Sequence, residues 1–66
     1  MKTCTVNDID GTTCHTVHDG PLEDVLSRAD DRLAAQIRRA MDDPTGVAQE
    51  TFARDGEQFT TRVIVR

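Results

Sequence analysis

Between two prolines, Pro21 and Pro44, apolar residues recur at helical spacing: Leu22, Leu26, Ala29, Leu33, Ile37 and Met41, four, three, four, four and four apart. Val25, Ala34 and Ala40 widen this stripe, and Arg, Asp and Gln occupy the opposite side. Such a period buries one face of an α-helix against another layer. The spacing predicts one long helix over 21–43, the strongest constraint on what this chain can fold into. Asp19-Gly20-Pro21 supplies its start, with Asp or Gly as cap and Pro in the first turn. Glu23 and Asp24 complement the positive end of the helix dipole. Pro44 ends the helix near Asp43. The pairs Asp24/Arg28, Arg38/Asp42 and Arg39/Asp43 stand at i,i+4, where opposite charges attract.

Each side of the helix reads as a β-hairpin. Over 3–18, Thr and Val suit a pleated, half-buried surface. Gly11 can supply the positive φ of a three-residue loop, Ile9 to Gly11. That register sets Val6 opposite Cys14 and Cys4 opposite Thr16. Cys4, Val6, Cys14 and His18 then share one face, with His15 on the other; a two-residue turn would instead separate the cysteines. Over 47–66, Asp55-Gly56 signals a two-residue turn that places Phe52 opposite Phe59. Ala48, Phe52, Phe59, Val63 and Val65 then share a face, while Gln49, Thr51, Gln58, Thr60 and Arg62 point away.

The expected architecture is a single α+β domain of order ββαββ: a four-stranded mixed sheet, strand order 2-1-4-3, with one long helix on one face. A right-handed crossover would run the first and last strands parallel in the middle. This element order resembles a small β-grasp domain, as in streptococcal immunoglobulin-binding modules; no residue motif carries the likeness further. The helix would run about 33 Å at 1.5 Å per residue, against strands of about 20–27 Å. Its last turns, with Ile37, Ala40 and Met41, should overhang the sheet and be covered by the Asp43 to Val47 connection or by a second copy of the chain.

Composition narrows the functional classes. Twelve acidic and eight basic side chains give a net charge of −4, which phosphate backbones repel. Arg28, Arg32, Arg38 and Arg39 form a basic patch diluted by Asp30, Asp31, Asp42 and Asp43. No Gly-rich phosphate loop and no free aromatic platform accompany it. A nucleic-acid-associated regulator using this arginine face is the alternative reading, not the first. No apolar run approaches the roughly 18 residues of a membrane span, and no signal-peptide pattern opens the chain. The expectation is a cytoplasmic protein with no membrane partner.

Cys4, Cys14, His15 and His18 are the one group of metal-type ligands. The cysteines stand ten positions apart in sequence, unlike the close ligand pairs zinc favours. The expectation is buried thiols and surface histidines, with no cofactor; a small metal- or thiol-dependent protein using Cys4, Cys14 and His18 is a second alternative. On the proposed register the thiols are diagonal neighbours about 7 Å apart, too far for a disulfide. Adjacent acids on a helix point about 100° apart, so Asp30/Asp31 and Asp42/Asp43 form no catalytic dyad. Asp8-Ile9-Asp10-Gly11 lacks the remaining ligands of a calcium loop and reads as a turn.

Surface for another molecule remains. The expected outer sheet face carries Thr5, Thr13, Val17, Val47, Thr60 and Ile64, small polar groups mixed with apolar ones. With a thin core and only two aromatics, a chain this size gains from association. The sequence therefore points to a small non-enzymatic protein-binding or regulatory module, of a size that suits a viral or bacterial inhibitor of another protein. Its expected partner is another protein, with a homodimer also expected, and the expected interaction residues are Val17, Val47, Thr60, Ile64, Ile37 and Met41.

Overall fold

The computed structural model describes all 66 residues. Strands β1 (Thr3–Asp10) and β2 (Thr13–Pro21) form the first hairpin, and β3 (Val47–Arg54) and β4 (Glu57–Val65) the second. Between them lie two helices, α1 (Leu22–Arg28) and α2 (Asp31–Asp42). The sheet order is β2-β1-β4-β3, as expected, but every neighbouring pair is antiparallel.

Two expectations fail together, for one physical reason. The chain leaves the helical register at Ala29 (φ −78°, ψ 141°) and Asp30 (φ −73°, ψ 176°). Asp30 then caps the second helix, its Oδ1 accepting from the Leu33 N–H at 2.8 Å. A single rod would carry the chain from the end of β2 to the far end of the sheet. Helix α1, about 10 Å long, instead runs out over β1 and β2, and α2, about 18 Å, runs back over β3 and β4. β3 therefore starts where β2 stopped, and β4 must run antiparallel to β1. The parallel central pair of a β-grasp domain is absent, and the sheet is not mixed.

That end of the sheet is closed by backbone. Leu22 N–H donates to Lys2 C=O (3.0 Å), Thr3 and Arg66 exchange both bonds (2.7 and 2.9 Å), and Val65 N–H donates to Gly46 C=O (2.7 Å). Both hairpin tips lie at the other end. They project past the helices, so the sheet overhangs the helices, the reverse of the expected overhang. Ile37 and Ala40 are fully buried.

Each helix presents its own i, i+3, i+4, i+7 set. Leu22, Val25, Leu26 and Ala29 face inward from α1, and Leu33, Gln36, Ile37 and Ala40 from α2. They meet Cys4, Val6, Val63 and Val65 of the sheet. Met41, on the stripe of a continuous helix, is 41% exposed once the phase is reset. Gln36 is buried in this layer because its Nε2 donates to the C=O groups of Ala48 (3.1 Å) and Thr61 (2.7 Å), tying α2 to both strands of the second hairpin.

Turn chemistry sets the hairpins. Asp55 (φ 53°) and Gly56 (φ 80°) form the expected two-residue turn, and Phe52 pairs with Phe59 at 6.0 Å between ring centroids. In the first hairpin the turn is Gly11-Thr12, not three residues, so Ile9 pairs with Cys14. A bulge then makes Val17 an extra residue between the Val6–His18 and Asn7–Thr16 pairs. Other expectations are corrected locally. Pro21, without a side-chain bond, precedes α1, and Asp19 instead accepts from Thr5 Oγ1 at 3.0 Å. No i,i+4 ion pair forms; the one ion pair joins Arg39 to Glu50 of β3. Asp43 is held by Thr45, whose N–H and hydroxyl both donate to its carboxylate at 2.8 and 2.6 Å. Those bonds keep the Asp43 carboxyl below its usual range. Its contribution to stability is therefore present at neutral pH and fades as pH falls through that lowered range.

Gly46 is the most confined of the four glycines. Its φ is 73°, and a Cβ there would stand 2.4 Å from the Val65 carbonyl oxygen. Gly11 has φ 60° but open space around it. Gly11→Ala should cost about 1 kcal/mol from backbone conformation alone. Gly46→Ala should cost several-fold more, and urea denaturation of the two variants measures the difference. Gln36→Leu removes both donated bonds and should cost about 1–3 kcal/mol in the same assay; an unchanged midpoint would show the clamp contributes nothing.

Candidate functional site

Residues directly opposite one another on antiparallel strands share a face. By that rule Cys4, opposite Gly20 and Val65, lies under the helices, while Cys14, opposite Ile9, lies on the bare side. His18 sits opposite Val6 and His15 opposite Asp8, both on the helix side. The candidate metal group is therefore divided: His18 shares a face with Cys4, but Cys14 projects from the other side. Both cysteines are free. Burial is the larger cause, and the Asp19 charge the smaller, of a Cys4 thiol pushed above its ordinary range.

Two of the four arginines of the helical face make contacts within the chain, while Arg28 and Arg38 stand exposed. The Arg32 guanidinium stacks 4.2 Å from the Phe52 ring centroid, and Arg39 pairs with Glu50. These two arginines line an open hollow of about 510 Å³ along β3, with Ala35 its one apolar residue. A smaller cleft of about 200 Å³ opens where α2 begins, between the helix and the projecting hairpin tips. Val17 and His18 line it with Leu33, Phe52, Arg54 and Thr61. It is below the roughly 300 Å³ of ordinary small-molecule pockets.

Of the residues proposed for interaction, Val47, Thr60 and Ile64 do lie on the bare face, together with Thr5. Val17 does not: the bulge turns it toward the cleft on the helix side, where it is 48% exposed. Thr13, paired with Asp10, is also on the helix side. Ile37 has no exposed surface and belongs to the core.

The sequence reading missed how charge divides between the two faces. Asp8, Asp10, Glu50, Arg54 and Glu57 all project from the strands on the helix side. On the bare side the strands carry only Asp19 and Arg62, with the terminal Arg66 at the rim. An antiparallel face turned to water ordinarily carries the polar and charged set. Here it carries mainly Thr, Asn, Gln and β-branched residues. Its polar groups are already ordered by cross-strand bonds: Thr16 to Asn7 (3.1 Å), Thr51 with Thr60 (3.1 Å) and Arg62 to Gln49 (3.2 Å). Strand alternation holds this signal, but only once both registers are known.

Comparison with protein-family models, curated proteins and solved structures finds no match to this chain. No helix is long and apolar enough to cross a membrane.

The placement of the thiols gives a direct test. A disulfide-exchange reagent should label one cysteine within seconds to minutes, and Cys14→Ser should abolish that fast phase. Cys4 should react only when urea unfolds the chain, since the thiolate is the attacking form and burial disfavours it. Because its folded titration is raised, the stability it contributes is complete below the ordinary thiol range of about 8.5 and is lost as pH rises through the higher folded value.

Proposed function

We propose that this chain is a small non-enzymatic protein-binding module whose contact surface is the bare face of its sheet. The observation that carries this reading is the inverted charge distribution. Depletion of charge, not general hydrophobicity, marks the core of protein contact surfaces. Cross-strand hydrogen bonds already order several of its side chains, so a partner would immobilise few of them on docking.

Two observations weigh against the alternatives. Arg32 and Arg39 are engaged with Phe52 and Glu50, and the net charge of −4 repels phosphate. Cys14 has neither histidine on its face, which disfavours both a thiol nucleophile with an imidazole base and a Cys/His metal centre. Surface occlusion, by a regulator or inhibitor, is the mode of action this geometry suits best.

Photo-crosslinking from two exposed positions tests the reading. A photoreactive residue at Gln49 samples the bare face, and one at Arg38 the solvent side of α2. Crosslinks to polypeptide from Gln49 and not from Arg38 are the expected result. Equal yields from both positions would remove the bare face as a specific contact surface.

A further inference from the structure

We infer that the bare face is occupied by a second copy of this chain, in a two-fold pair that sets Asp19 of each copy against Arg62 of the other. The inference rests on the reading of this face as a contact surface and names its occupant.

The argument starts from the two charges. Asp19 lies on β2, at the flank of the sheet, and Arg62 on β4, beyond β1. One is an acid and the other a base, and β1 separates them. A two-fold axis along the central strands turns the face over left to right. The β2 side of one copy then covers the β4 and β3 side of the other, so acid meets base twice. A two-fold contact uses the same patch on both subunits and so requires this self-complementarity. An axis across the strands would leave each charge over its own side of the sheet. The complementary axis also keeps the two sets of strands aligned, as face-packed sheets prefer.

Shape agrees with charge. Ile9 and Ile64 stand on the central strands, β1 and β4, close to such an axis, with Val47 beside Ile64. Around them Thr and Asn are short, which lets two sheets approach to about 10 Å. Both helices lie on the far side of each sheet and do not obstruct the approach. Four strands about 4.8 Å apart, each about 27 Å long, present roughly 500 Å² per copy, or about 1,000 Å² in the pair. That total is at the lower limit for specific interfaces. The pair should therefore be weak and dissociate on dilution.

Sedimentation equilibrium on the intact chain, its Asp19→Arg and Arg62→Asp variants and an equal mixture of the two tests this. The wild-type mass should rise from 7.3 kDa toward twice that value with concentration. Each variant alone places like charges at both contacts and should associate at least tenfold more weakly. Mixed together, each arginine again meets an acid, and association should recover. Circular dichroism checks that both variants fold, and Thr60→Glu, with a charge at the centre of the face, gives an independent loss.

A wild-type chain that stays at 7.3 kDa up to millimolar concentration would overturn the pairing. So would variants that dimerise as tightly as wild type, or a mixture that shows no recovery. The broader reading fails separately. A monomer that still crosslinks to a different protein from Gln49 keeps the contact surface and removes only the self-pairing.

Discussion

β2 ends at Pro21 at the same end of the sheet where β3 begins at Val47, so the connecting helical segment has to return to its starting end. The reversal at Ala29–Asp30 makes this return, and the rest of the topology depends on it. With a break there, the two hairpins lie side by side with both tips pointing the same way, and the central strands run antiparallel. Without it, the same hairpins and the same apolar residues would form a different sheet. The Asp30 cap on Leu33 is a single hydrogen bond, worth about 1 kcal/mol. The break is held by more than that cap, because Leu22 and Val25 on one side and Ile37 and Ala40 on the other are all buried in the folded-back arrangement.

Short helices on long strands leave part of the sheet uncovered. The total accessible surface, 4643 Å², exceeds the roughly 4,200 Å² expected for this mass, and only ten residues are buried. Polar contacts carry a visible share of the cohesion. Gln36 joins α2 to β3 and β4 from inside the core layer, and Arg32 covers Phe52 at its edge. Charge gathers around the projecting tips on the helix side, where water reaches it, which leaves the opposite face comparatively neutral.

How much of this was legible in the sequence depends on how strongly each residue specifies its conformation. Asp55-Gly56 admits one turn type, and the two phenylalanines fix the register beside it, so the second hairpin was readable. Gly11 was correctly marked as a turn residue, yet Thr, Cys and Val fit either face of a strand. A one-residue slip then cost little and moved Cys14 across the sheet. The bulge at Val17 has no sequence signature in so uniform a strand. Asp30 was a readable cap, three residues before Leu33. A continuous stripe through Met41 concealed it, because two short amphipathic helices in series imitate one long one. Gln36 was read as surface because its polarity hides a buried role that only its two carbonyl partners explain. Val47, Thr60 and Ile64 were placed on the bare face from alternation alone, whereas the separation of Asp19 from Arg62 is visible only when β1 is placed between β2 and β4.

The mutual hydrogen bonds of Thr3 and Arg66 put the first and last strands' outer ends within one backbone bond of each other. A short peptide joining residues 1 and 66 would make the chain a closed loop with little change in the sheet. Reopened between Gly11 and Thr12, in the open space of the first turn, the circle would begin with β2 and end with β1. The strand order and both faces would be preserved, but β1 would then follow β4 in the chain and their antiparallel pairing would become a local hairpin. The central seam of the sheet, now a pairing between strands far apart in sequence, would become a local contact, and the β1–β2 pairing would take over the long-range role.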